Sequence, residues 1–98
     1  MVFTVYLKKS DLPKKKYMVK VFNKWIHFGA KGYSDFTRHK NLVRKKAYFA
    51  RHSVNENWSF SGIQTAGFWS RWILWNKDTL GKSIKDTERR FNIKIIRQ

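Results

Sequence analysis

The side chains best equipped for chemistry in this 98-residue chain are cations, aromatic rings and a few imidazoles. Between residues 38 and 52 the sequence runs RHKNLVRKKAYFARH. Placed at 100° per residue, Asn41, Arg44, Lys45, Tyr48, Arg51 and His52 share one side of a helix, and Arg38 joins them. Cations three and four residues apart can meet successive phosphates of a nucleic acid, and each neutralised phosphate releases condensed counterions. The plain alternative is that the charges solvate the outer face of an amphipathic helix. Trp25, Phe22, Tyr33 and Tyr48 lie beside cations and suit base stacking. Lys20, Trp25, His27, Lys31, Arg38, Lys40, Arg44, Lys45, Tyr48 and Arg51 are the expected contacts, with cations on phosphates and rings stacking or wedging.

Catalysis has less to draw on. His27, His39 and His52, with Asp35 and Glu56, supply most of the acid, base or ligand material of the first two thirds. Their spacing matches no H-E-x-x-H, Walker or G-x-S-x-G pattern, so no catalytic residue, metal or cofactor is assigned. Glu56 stands one turn beyond His52, where a hydrogen bond between them, or from His52 to a phosphate, is expected. The GAKG loop, residues 29–32, could offer backbone N–H groups to a phosphate with help from Lys31. Its plain reading is a tight connection that needs positive φ. Cysteine is absent, which removes disulfides, cysteine zinc sites and thiol nucleophiles.

These groups have to be positioned by a small α+β domain. VFTVYL (2–7), YMVKVF (17–22) and WIHF (25–28) read as strands, with a solvated loop, KKSDLPKKK, after the first. Asn23-Lys24 is the expected hairpin turn, so that Phe22 faces Trp25 and Lys20 faces His27. Alternation sends Tyr17, Val19, Val21, Ile26 and Phe28 to the core and leaves Lys20, Phe22, Trp25 and His27 on a basic, aromatic face. A helix capped by Ser34, Asp35 or Thr37 should then bury an aliphatic seam of Phe36, Val43, Ala47, Ala50 and Val54, opposite the cationic stripe.

AGFWSRWILWNK (66–77) is apolar nearly all round and too short to span a bilayer, so it reads as the central core helix. Trp69, Trp72 and Trp75 are expected in its packing, with Arg71 as a cation–π clasp. A last helix runs from about Leu80 or Ser83 to Phe91, and NIKIIRQ returns as an edge strand.

Composition sets the partner class. The chain has 22 Lys and Arg against 6 Asp and Glu, a formal net charge of +16, and a sequence pI near 10.5. Self-repulsion of this size opposes a compact monomer and points to a polyanionic partner, nucleic acid foremost, with an anionic membrane surface or acidic protein as alternatives. At 42% hydrophobic and 17% aromatic the chain can build a core, unlike a disordered basic tail. One domain of this size gains from a partner or a homo-oligomer. No basic n-region with an apolar core opens the sequence, so a reducing compartment is expected.

The strings FGAKGYSDFTRHK (28–40), R-x-x-AYFARHSVNENW (44–58) and TAGFWSRWILWNK (65–77), followed by SIKD and RRF within 83–91, resemble an uncharacterised family of small basic proteins encoded by giant DNA viruses. The resemblance covers about residues 17–91. It implies a viral origin, a place in the virion interior, and in the host cytoplasm or nucleus during infection. Where that family often carries an acidic residue, this chain has Asn41. The combined expectation is a sequence-independent viral DNA-binding protein for genome compaction or packaging. The alternative is a minor virion protein that grips acidic capsid partners. A metal-dependent nuclease ranks behind both. The binding reading expects the cations on one side of the folded body, with the hairpin and helix faces continuous.

Overall fold

The computed structural model of the protein describes residues 3–98, so Val2, at the start of the expected first strand, lies outside the described residues. The architecture is α+β. Strands β1 (Thr4–Lys9), β2 (Lys15–Val21) and β3 (Lys24–Ala30) form an antiparallel meander. Strand β4 (Lys94–Arg97) then pairs parallel to β1, with Val5 beside Ile95, so the sheet is mixed and ordered β3-β2-β1-β4. The tail does become an edge strand, and it pairs parallel to β1 beside the antiparallel hairpin expected from the sequence.

The hairpin turn sits one residue earlier than expected. Val21 pairs with Lys24 and Lys20 with Trp25, leaving Phe22 (φ 50°) and Asn23 (φ 68°) as a two-residue loop with both central residues left-handed. Phe22 is held there by the ring of Phe3, at 4.9 Å between centroids. Moving a two-residue turn by one position re-pairs each strand residue with a partner two removed, so the strand residues keep their faces, whereas Phe22 leaves the strand for the turn and packs on Phe3 instead of joining the basic face beside Trp25. The core face is therefore as expected: Val19, Val21, Ile26 and Phe28 are buried together with Val5, Leu7 and Ile95.

The tryptophan-rich segment and the last helix pack against the sheet, and the single helix expected from residue 36 onward is broken. Helix α1 (Phe36–His39) is capped by Asp35, whose carboxylate accepts from the Thr37 N–H at 3.0 Å. It ends at Lys40, which is left-handed at φ 55°. The Asn41 side chain then accepts from the N–H groups of Val43 and Arg44 and starts α2 (Leu42–His52). Asn and Asp serve almost equally as N-caps, which gives this position a structural role that an amide or an acid can fill.

Helix α3 (Ala66–Trp69) continues directly into a π-helical turn, Ser70–Leu74, and α4 (Leu80–Phe91) follows. Phe68, Trp69, Trp72, Ile73 and Leu74 are buried against the sheet, as the apolar run predicts. The indole N–H groups are satisfied within the core: Trp69 donates to the Ile63 carbonyl at 2.7 Å and Trp72 to the Trp58 carbonyl at 2.8 Å. Helix α4 adds a buried polar seam in which Ser83 accepts from the Lys77 N–H and Thr87 donates to the Trp72 carbonyl.

Candidate functional site

Helix α2 is turned about half a revolution from its expected orientation. Tyr48 is only 6% exposed, whereas Val43 and Val54 of the supposed core seam are 77% and 79% exposed. A tyrosine ring brings roughly 150–250 Å² to an interface, several times what an alanine can, so the aromatic side of α2 outcompetes the aliphatic one. Tyr48 stacks on Trp75 at 4.2 Å with rings 5° from parallel, and on His52 at 4.3 Å. Burial, reinforced by the Glu56 carboxylate, pushes its phenol above the usual range. Tyr48 is thus a packing residue, and its expected role as a surface stacking platform is withdrawn.

Lys45 is corrected with it. Its Nζ donates to the Asn76 carbonyl at 2.5 Å and lies 4.7 Å from the centre of the Phe36 ring, tying α2 to the end of the tryptophan helix. Burial first, then the charges of Arg71 and Lys77, lower its pKa. Lys40 is exposed but likewise tethered, donating to the carbonyls of Thr37 and Asp78.

Arg44 and Arg51 are exposed and line a cleft of about 620 Å³. Its facing wall carries Lys15, Lys16, Tyr33 and Asp35 at the far end of the hairpin, and Leu74 and Trp75 add apolar surface. The acids here are already engaged. Asp35 takes the Lys16 ammonium at 2.6 Å, and Glu56 bonds His52 Nδ1 at 2.9 Å, as its spacing suggested, and the Trp58 indole at 2.8 Å. Lys15, Arg44 and Arg51 make no ion pair among the described residues. His39, behind this wall, has its pKa lowered by burial and by Arg44.

Lys20, Trp25 and His27 lie on the opposite face of the sheet, which the helices leave open. Pairing brings them together with residues the sequence reading did not single out: Lys20 lies between Trp25 and Tyr6, and Met18 between His27 and Lys8. The alternation of TVYLK in β1 carried the signal for Tyr6 and Lys8, because Val5 and Leu7 are plainly core. Lys8 Nζ stands 4.8 Å from the centre of the Trp25 ring and Lys20 Nζ 6.0 Å. His27 Nδ1 shares a 2.7 Å hydrogen bond with Ser10 Oγ, which also accepts from the Leu12 N–H, so this imidazole braces the β1–β2 loop.

Lys31 and Arg38 are exposed on the connection leading into α1 and at its end. The GAKG loop follows its plain reading: Gly29 and Gly32 have φ of +79° and +88°, while the Lys31 N–H is taken by Lys14 and the Tyr33 N–H by Ala30. Two amides a phosphate cradle would use are spent. The cations do not occupy one continuous face. They form two basic surfaces on either side of the sheet, with Lys82, Lys85, Arg89 and Arg90 on α4 in addition. Arg71 is the expected clasp, its guanidinium 3.8 Å from the Trp72 ring centre and 4.5 Å from that of Phe49. Burial and the charge of Arg90 lower its pKa to about 10.

No group of three or more His, Asp or Glu side chains placed to hold a metal occurs among the described residues. No helix among them is long and apolar enough to cross a membrane. Residues 5–52, from β1 through α2, are similar to a Family of unknown function (DUF5754). That stretch contains both Tyr6, Lys20 and Trp25 of the open sheet and Arg44 and Arg51 of the cleft. No curated protein and no solved structure matches the chain.

Proposed function

We propose that the protein binds DNA without regard to base sequence and serves to compact or package a viral genome. The observation that carries this reading is the unpaired charge, which is spread over two surfaces and α4 and is not gathered on the one face the sequence reading expected. Of 22 Lys and Arg, only Lys16, Lys82, Arg89 and Arg90 stand within 4 Å of a carboxylate among the described residues. A fold that leaves this much like charge uncompensated is stabilised by a polyanion that supplies the missing counter-charge. Lys15, Arg44 and Arg51 at the cleft, with Lys31 and Arg38 beyond it, are the phosphate contacts. The viral setting follows from the resemblance of the sequence to the giant-virus family. A salt-titrated mobility shift tests the reading: DNA of any sequence is retarded, and log affinity falls against log salt with a slope of several charges. No retardation at ~50 mM salt, where phosphate contacts are strongest, overturns it.

A second reading has its own support. Leu42 and Val43 on α2 and Val54 just past its end are exposed, next to Arg44 and Arg51. An aliphatic stripe bordered by cations suits an acidic protein partner, such as a capsid component, better than a phosphate backbone. Co-purification of a capsid protein by a chain that leaves DNA unretarded would select it.

A further inference from the structure

The open face of the sheet differs in kind from the cleft. Across it runs one row of side chains, Trp25, Lys20, Tyr6 and Ile96, contributed by four neighbouring strands. Beside that row lie Lys8 and Met18, and Lys94 stands one step along β4. No acidic residue occurs at any position of strands β1 to β4. The face is cationic and aromatic: Met18 is buried within it, Trp25, Tyr6, Lys20 and Lys8 are half-buried, and the ammonium groups of Lys8 and Lys20 stand over the tryptophan ring.

We infer that this face is a stacking platform for single-stranded nucleic acid, with Trp25 and Tyr6 as the rings that receive bases. The inference rests on the nucleic-acid reading above and adds the strand state and the surface. The face does not fit an undistorted duplex. At about 4.8 Å between neighbours, four strands span roughly 14 Å, wider than the ~12 Å major groove or the ~6 Å minor groove, so a duplex would have to be deformed to meet it. In a duplex, moreover, base faces are hidden and only their edges are presented. An unpaired strand offers those faces. A base arriving on Trp25 displaces the Lys8 ammonium from the ring, and that ammonium then reaches the adjoining phosphate. Sequence tolerance follows because every base has a π-face.

The test uses the full chain and a labelled oligo-dT of about 12 nucleotides, within the ~4–16-nucleotide site size of comparable sheet surfaces. Binding quenches tryptophan emission, and Trp25→Phe keeps the affinity while abolishing most of the quench. Trp25→Ala and Tyr6→Ala each weaken oligo-dT binding by roughly 5- to 100-fold. Duplex affinity changes less than about twofold, because phosphate contacts dominate it. Circular dichroism and a thermal transition matching the parent show that each alanine variant is folded, so that a loss of binding is not a loss of the fold. Full oligo-dT affinity in both alanine variants, or equal losses on oligo-dT and duplex, overturns the platform while salt-sensitive duplex retardation leaves the general reading standing. Retardation of neither substrate by the parent chain overturns both.

Discussion

The ring of Tyr48 lies face to face with that of Trp75, 4.2 Å away and 5° from parallel, and this contact fixes which side of α2 faces the core. Tyr48→Ala should therefore destabilise the protein by about 3–5 kcal/mol, the range for emptying a buried aromatic site, while Tyr48→Phe costs less than about 1 kcal/mol because the stacked ring survives. Urea denaturation measures both. A Tyr48→Ala protein of unchanged stability would mean that α2 is not held by this stack.

Arg44 and Arg51 make no ion pair among the described residues and are exposed, so Arg44→Gln with Arg51→Gln should leave stability within about 0.5 kcal/mol. On DNA the same double variant should reduce the log-log salt slope by about two, near 0.9 for each lost phosphate contact. Mobility shifts at several salt concentrations provide the slope. An unchanged slope would remove these two residues from the interface.

Asp86 supplies a pH dependence. Burial pushes its carboxyl up, but hydrogen bonds from Asn76, Arg90 and Arg89, at 2.8, 3.1 and 2.8 Å, outweigh burial and hold the pKa at about 2 against an ordinary 3.8. A depressed carboxylate pKa contributes stability that is complete above the unfolded value and is lost as pH falls through the folded one. Thermal stability should accordingly drop by up to about 2 kcal/mol between about pH 4 and pH 2, and Asp86→Asn should flatten that part of the profile.

Gly29 and Gly32 give a matched pair. Both have positive φ, but a Cβ at Gly29 would come within 2.7 Å of Leu74 Cδ1, whereas at Gly32 it meets open space. Gly32→Ala should cost about 1–2 kcal/mol, the backbone penalty alone, and Gly29→Ala about 2–4 kcal/mol because core strain adds to it. Equal costs in chemical denaturation would show that Leu74 yields freely.

The sequence made the core legible where period and bulk agreed. Val19, Val21, Ile26 and Phe28 alternate cleanly, and the run through Phe68, Trp69, Trp72 and Ile73 is too apolar for any other place. Alternation could not distinguish a turn at Asn23-Lys24 from one at Phe22-Asn23, since both leave the same faces inward. The helical wheel failed for a different reason. Its phase joined Phe36 to Val43 through a helix that Lys40 and Asn41 interrupt, so Phe36 says nothing about which side of α2 turns inward. With the phase lost, Tyr48 and Lys45 passed for surface residues. Arg44 and Arg51 stayed legible because they are exposed in the orientation observed as well.

Strand β1 acquires its second neighbour from residues far along the sequence, Thr4 beside Lys94 and Leu7 beside Arg97. During synthesis the meander can assemble early, yet one border of β1 stays bare until residues 94–97 leave the ribosome. A nascent chain stalled before them would present an unpaired strand margin to its neighbours on the polysome, the setting in which edge-to-edge aggregation begins.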